Sequence, residues 1–200
     1  EVSVFALCDG EKYILLPTAQ DHKRLKEKDK GPNTGGMGAY SPTPLLTEDS
    51  LDTIIKEIID PTINELKKKN IDYRGVIYFG LMITEVGAKV IEYNCRFGDP
   101  ECQTIMPLMD QNFVSLLEKC SMGKLTGNEK INTSDKFSGC VIATSKGYPH
   151  KYKTGFPIKI GKIDITDCQI FDSGTSFNEN GELVTDGGRV LSIVCQDKDF

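Results

Sequence analysis

The chain has no apolar run near the roughly 20 residues that a bilayer-spanning helix needs, which excludes a helical membrane anchor within it. It opens on Glu-Val-Ser with neither a signal-peptide pattern nor a Met, so a start inside a longer gene product is expected. Positive charge is in deficit: 24 Lys and Arg against 29 Asp and Glu leave a net charge of −5. No long basic block supplies the face that nucleic-acid phosphates require. An anionic substrate would have to be met by a local cluster of Arg, Lys and backbone N–H groups. The seven cysteines (8, 95, 102, 120, 140, 168, 195) are odd in number and contain no C-x-x-C pair, which argues against a zinc site and a disulfide framework. Cys8 and Cys140, flanked by apolar residues, read as small core residues in a reducing compartment, with the cytosol expected. Internal repeats and low-complexity segments are absent too. What is there is an ordinary globular composition, 38% hydrophobic and 26% charged over 200 residues, enough for one large or two small domains with a real core.

The first element is "EVSVFALCDGEKYILLP", two β-prone runs around Asp9-Gly10, a favoured hairpin turn. Residues 18–44 follow as a loop rich in Gly and Pro, too long for an idle connection. Thr47 before Glu48 and Asp49 marks a helix start, and Leu51, Ile54, Ile55, Ile58, Ile59, Ile63 and Leu66 recur at helical spacing. Pro61 should kink or divide this helix, which ends in Lys67–Lys69. "RGVIYFGLMIT" and "AKVIEYN" read as an antiparallel pair of central, largely buried strands joined at Glu85-Val86-Gly87. A second helix is expected over about 101–122, opening at Asp99-Pro100-Glu101 and closing before Gly123. The polar stretch 126–135 marks a domain boundary, and the chain beyond it is β-rich.

The stretch that carries chemistry is "IEYNCRFGDPE", residues 91–101. Side chains alternate along a strand, so Glu92 and Asn94 share a face about 7 Å apart. A carboxylate and an amide oxygen so placed suit Mg²⁺, which keeps waters and takes its other ligands from phosphates; alone, the pair also describes the solvent face of an edge strand. Arg96 offers a planar fork for phosphoryl oxygens. Asp99 reads as an N-cap with Pro100 at the first helical position, and the helix start aims N–H groups at the space beside Arg96. Metal pair, arginine and helix terminus together describe a phosphoryl-transfer site. In "GPNTGGMGAYSP", Gly35, Gly36 and Gly38 allow close backbone approach and an anion nest, or else a flexible turn. It is neither a Walker A loop nor a G-x-G-x-x-G fingerprint. Asp21, His22, Lys23 and Arg24 precede it as site residues or a solvated charged loop, and His22 by itself reads as structural.

"AQDHKR", "KGPNTGGMGAYSP", "EYNCRFGDPE", "SKGYP" and "GGRVL", in this order and spacing, closely resemble the phosphoribosylamine–glycine ligase family (glycinamide ribonucleotide synthetases) of the ATP-grasp superfamily. The resemblance covers essentially the whole chain. It implies an α+β fold, with the second lobe of an ATP-grasp domain over 1–130 and an incomplete β-rich C-terminal domain over 131–200; the first lobe and an N-terminal domain would lie outside the chain. It implies ATP, glycine and 5-phosphoribosylamine as substrates, joined through glycyl phosphate in purine biosynthesis, with Mg²⁺ or Mn²⁺ held by Glu92 and Asn94. Arg96 would stabilise the transferring phosphoryl group, with Asp99 and Glu101 lining the acceptor site or orienting Arg96. Glu1, Arg24 and Asn33 would contact ATP. Asp21 would hold the glycine ammonium, and His22, Lys23, Gly35, Gly36, Met37 and Gly38 would face the substrates. Departures from the family pattern are the missing acidic metal ligand in "YFGLMIT", His150 after Gly147-Tyr148-Pro149, Asp172-Ser173 within "FDSGT", and Cys102 in a place where Thr is common. A sister ATP-grasp ligase and a nucleotide- or metal-binding module without turnover are the alternatives.

Overall fold

The computed structural model describes residues 1–110, 112–161 and 167–199. Its centre is strand β1 (Val2–Asp9), every residue of which is buried. The cause is position: β1 lies inside a four-stranded antiparallel sheet of order β2-β1-β7-β8, with β2 at Tyr13–Leu15, β7 at Arg74–Thr84 and β8 at Gly87–Asn94. Alternate side chains feed two cores. Val2, Val4, Ala6 and Cys8 pack with Ile77, Phe79 and Leu81 against the first helical layer. Phe5 and Leu7 pack with Val76 and Tyr78 on the other face, against Phe113, Leu116 and Cys120 of helix α4 (Asn112–Ser121). The hairpin at Asp9-Gly10 forms as expected: Asp9 Oδ1 accepts from the N–H groups of Glu11 and Lys12, and Gly10 supplies φ +97°.

The first helical layer starts where the sequence indicates. Thr47 caps α1 (Glu48–Ile54), its hydroxyl accepting from Ser50 N–H at 3.2 Å. A five-residue π-helical turn, Ile55–Ile59, then separates it from α2 (Asp60–Lys68), so the division comes just before Pro61. Here the missing proline N–H would have broken the ladder.

Three expectations are corrected. Residues 18–44 are not a loop: they hold β3 (Gln20–Asp21), β4 (Arg24–Lys26), β5 (Lys30–Asn33) and β6 (Gly38–Ser41), with β4–β5 and β3–β6 antiparallel. The strand β8 is not buried; it is the outermost strand of its sheet, and Ile91 and Tyr93 are about half exposed. The single helix over 101–122 is three pieces: α3 (Glu101–Ile105), a 3₁₀ turn Met106–Leu108 carrying Pro107, and α4. Pro107 cannot donate to the helical ladder, which accounts for the break. Gly123, at φ +67°, does close α4.

A second antiparallel sheet has the order β10-β13-β9-β6-β3, from β9 (Phe137–Thr144), β10 (Cys168–Asp172), β13 (Arg189–Asp197) and the two strands before residue 44. β11 (Thr175–Phe177) and β12 (Leu183–Thr185) form a separate pair. The second sheet therefore draws strands from both sides of the polar stretch 126–135. Cys8 and Cys140 are buried, as expected. Cys168 and Cys195, partners in the β10–β13 register, are joined in a disulfide, against the expectation of none. That pairing follows from cross-strand register, which spacing along the chain does not reveal. No helix among the described residues is long and apolar enough to cross a membrane.

Candidate active site

The two sheets meet where β8 ends. The chain leaves Asn94, turns through residues 95–100 and enters α3, which packs on the second sheet. A cleft of about 90 Å³ opens there, lined by Asp21, Glu92, Asn94, Arg96, Asp99 and Glu101 among others. Two larger hollows, of about 680 and 790 Å³, lie beside Lys12 and Lys67 and beside Met37 and Val141; neither gathers these groups.

Backbone register sets the geometry. Glu92 pairs with Gly80 and Asn94 with Tyr78, and a bulge at Ile91 precedes them. A Cβ at Gly80 would stand 2.9 Å from Glu92 Cγ, so the glycine makes room for the carboxylate's stem. Lys23 Nζ lies 2.7 Å from Glu1 Oε1 and 3.6 Å from Glu92 Oε1. Burial works against the Lys23 ammonium, but these carboxylates outweigh it and hold its pKa above the ordinary value. Glu101 is buried, accepting a 2.8 Å bond from Ser3 Oγ, with Tyr78 Oη 3.1 Å from the same hydroxyl. Burial and the Glu101 charge push the Tyr78 phenol up.

Asp21 is the most perturbed group in the cleft. Its Oδ1 is buried and has no hydrogen-bond partner among the described residues. Burial first, and then the Glu101 charge, push its pKa up to about 8; Lys23 and Arg189 counter only in part. A desolvated carboxylate without a partner is held back from ionising until a cation arrives.

Asp99 is not an N-cap. The residue before α3 is Pro100, which has no side-chain cap bond. Asp99 Oδ1 instead accepts from Gln103 Nε2 and pairs with Arg189 Nη1 at 3.1 Å. Nor does it orient Arg96, whose Nη1 donates to the Phe97 carbonyl. With only five residues, α3 provides no helix-terminus anion site. The glycine nest is also closed: Gly35 N–H donates to Tyr148 Oη, Gly36 N–H to Thr34 Oγ1 and Met37 N–H to the His22 carbonyl. The glycines serve close packing instead. At Gly36, φ +112°, a Cβ would meet Pro100 Cδ at 2.5 Å and Asp21 Oδ1 at 2.8 Å; at Gly38 it would meet the Cys140 carbonyl oxygen at 2.5 Å.

Arg24 and Asn33 face each other across the β4–β5 hairpin, exposed and outside the cleft's lining, with Arg24 donating to the Gly31 carbonyl. His22 and Met37 line the 790 Å³ hollow, with His22 against the Tyr40 ring. Sequence reasoning missed Arg189 and Tyr148. Arg189 stands 90 residues from Asp99 and 154 from Gly35, and Tyr148 stands 113 from Gly35; their place inside "GGRVL" and "SKGYP" is the one signal the sequence holds.

Residues 1–102 match the family profile described as "Phosphoribosylglycinamide synthetase, ATP-grasp (A) domain". The chain belongs to the phosphoribosylglycinamide synthetase family. Residues 138–200 match that family's C domain. A phosphoribosylamine–glycine ligase of Caldanaerobacter subterraneus is 47% identical over 195 residues, 98% of this chain and 46% of the relative. The trifunctional purine biosynthetic protein adenosine-3 of Gallus gallus is 42% identical, over 100% of this chain and 20% of its own length. The phosphoribosylamine–glycine ligase of Thermotoga maritima superposes with a TM-score of 0.87 at 32% identity, covering 98% of this chain and 48% of that one. The Campylobacter jejuni biotin carboxylase shares the fold, at a TM-score of 0.67 and 15% identity, over 100% of this chain and 42% of its own. The α+β architecture is thus an ATP-grasp one, and the chain spans about half the length of the phosphoribosylamine–glycine ligases that it matches.

Proposed function

We propose that this chain is part of an ATP-dependent carboxylate–amine ligase that joins glycine to 5-phosphoribosylamine in purine biosynthesis, working in the cytosol. The observation that carries the reading is the convergence of Asp21, Glu92, Asn94, Arg96, Asp99 and Glu101 on one small cleft, within a family whose relatives are named for that reaction. Residues 1–130 form its ATP-grasp lobe and 131–200 its C-terminal domain, a division that separates the two matched stretches.

In the reaction, a glycine carboxylate oxygen attacks the γ-phosphorus of ATP and the bond to the ADP oxygen breaks. The amine then attacks the carbonyl carbon of the glycyl phosphate; phosphate leaves and the amine gives up a proton. Positioning and charge neutralisation supply most of such catalysis. Asp21 takes the glycine ammonium. Its unpartnered Oδ1 supports this role, because a bound cation relieves the cost of the buried charge. Arg96 neutralises the phosphoryl oxygens, and Asp99 and Glu101 shape the acceptor side. Glu1, Arg24 and Asn33 contact the nucleotide, with His22, Lys23 and the Gly35–Gly38 segment toward the substrates.

Glu92 and Asn94 fit a magnesium ion. Glu92 already turns its carboxylate toward a cation, the Lys23 ammonium at 3.6 Å. No group of three His, Cys, Asp or Glu side chains suited to a metal occurs among the described residues, and a two-ligand set suits an ion that keeps water and phosphate oxygens. Once bound, the ion would neutralise the ATP phosphates.

The test is ADP release by the protein at the full length of its relatives, with glycine and freshly generated phosphoribosylamine supplied separately and together. Release requiring both is expected. Release with another acid or amine would discard the purine assignment, and nucleotide binding without release would leave a binding module.

A further inference from the structure

Two residues of the C-terminal part reach into the candidate active site without lining its reactive groups. Arg189 opens β13, and Tyr148 lies in the connection after β9. Arg189 Nη1 donates to the Gly35 carbonyl at 2.7 Å and to the Asp99 carbonyl at 2.8 Å; the Gly36 carbonyl is 3.5 Å away and Asp99 Oδ1 3.1 Å. The guanidinium also lies against the Gly35 backbone, where an added Cβ would stand 3.1 Å from Cζ and 3.2 Å from Nε. From the other side, Tyr148 Oη accepts from Gly35 N–H at 2.9 Å. The tyrosine ring is itself seated on bare backbone, since a Cβ at Gly188 would meet its Cδ2 at 2.4 Å.

We infer that Arg189 is a positioning residue which, with Tyr148, clamps the Gly35–Gly36 turn and Asp99 to the second sheet. The chemistry requires an arginine. A nitrogen bearing two hydrogens serves two carbonyls while the planar group stacks on the glycine, whereas a lysine ammonium offers a point charge with no plane. A side chain at position 35 would crowd the guanidinium by a few tenths of an ångström. The clamp further ties the cleft to the C-terminal strands: Gly36 packs on Pro100 and Asp21, so any drift of the turn moves the carboxylate and the loop that carries Asp99. Arg189 is assigned no contact with substrate of its own; it holds Asp99 and Gly35, which are assigned such contacts, so its effect passes through these two segments. The clamp is a statement about geometry; its catalytic consequence rests on the ligase reading above.

Two measurements separate the two claims. Amide hydrogen exchange of this chain is compared with Arg189→Gln, Arg189→Lys and Tyr148→Phe. Arg189→Gln is expected to speed exchange at Gly35 and Gly36 by about tenfold or more while leaving β1 and β7 unchanged. Tyr148→Phe should release Gly35 alone. In the full-length ligase, Arg189→Gln is expected to lower kcat about tenfold or more with the KM for ATP within about twofold. Arg189→Lys should recover part of this loss, as should millimolar guanidinium added to Arg189→Gln. Unchanged exchange at Gly35 and Gly36 would overturn the clamp. So would a uniform rise across β9 and β13 with no recovery by guanidinium, because that describes a residue needed only for folding. Faster local exchange in a protein without ligase activity would support the clamp and overturn the ligase reading.

Discussion

Replacing Asp21 by Asn tests the electrostatics of the cleft through stability alone. The folded carboxyl titrates near 8 instead of at its ordinary 3.8, because it is buried and faces Glu101. Between those two values the native chain holds a proton that the unfolded chain has released. Stability therefore falls as pH rises through that window and levels off above about 8. Each tenfold change in proton affinity corresponds to about 1.4 kcal/mol, so the roughly 10⁴-fold change here sets a ceiling of about 6 kcal/mol. Asn keeps the shape and never carries the charge, so the variant should lack this slope. Urea unfolding at pH 4, 5, 6, 7 and 8 reads the difference directly: wild type and Asp21→Asn should be closest at pH 4, and the variant should gain at each step. Parallel profiles, or a variant that loses ground towards pH 8, would refute the assignment of burial and Glu101 as the cause. A second readout concerns ligand. A cation beside Asp21 lowers its pKa, so glycine binding near pH 7 should release a proton from wild type and none from the variant, detected as a buffer-dependent heat of binding.

Three further outcomes follow from single contacts. Glu92→Ala should weaken Mn²⁺ binding by about tenfold or more and abolish metal-dependent ADP release in the full-length ligase; normal metal titration by electron paramagnetic resonance would sink the ligand assignment. Gly36→Ala places a Cβ at φ +112° within 2.5 Å of Pro100 Cδ; it should destabilise by about 2–4 kcal/mol, and a midpoint in urea equal to that of wild type would show that the turn adapts. Thr47→Ala removes the hydroxyl that accepts from Ser50 N–H and should cost about 1 kcal/mol, read by the same unfolding curves, with no change in metal affinity.

What could be read from the sequence was local. The Asp9-Gly10 turn, the Thr47 cap and the β7–β8 hairpin each depend on residues a few positions apart, and each forms as expected. The Glu92, Asn94 and Arg96 group was visible for the same reason, since strand alternation alone puts the first two on one face. Errors arose where a distant partner decides the outcome. Asp99 looked like an N-cap because Asp-Pro-Glu is a cap pattern, but Arg189, 90 residues on, takes its carboxylate. The Gly35–Gly38 segment looked like an anion nest because its glycines permit one, but Tyr148, Thr34 and the His22 carbonyl consume the N–H groups that a nest would offer. β8 looked buried because it is apolar, yet no strand flanks its outer side among the described residues.

These corrections share a direction. Local chemistry reads the aspartate as a helix cap and the glycine turn as an anion nest, and both are engaged by groups at the second sheet, Arg189 and Tyr148. The groups left to meet ligands lie elsewhere in the cleft, in the buried oxygen of Asp21 and on the β8 face, where Asn94 stands beside a Glu92 that is paired only with Lys23 at 3.6 Å. An unsatisfied buried carboxylate is costly and would not persist in a segment free to rearrange. Here Gly36 packs on Asp21 from one side, and Arg189 holds the Gly36 turn from the other. The strands that look remote from the chemistry are therefore what keeps the cleft's unpartnered carboxyl in place.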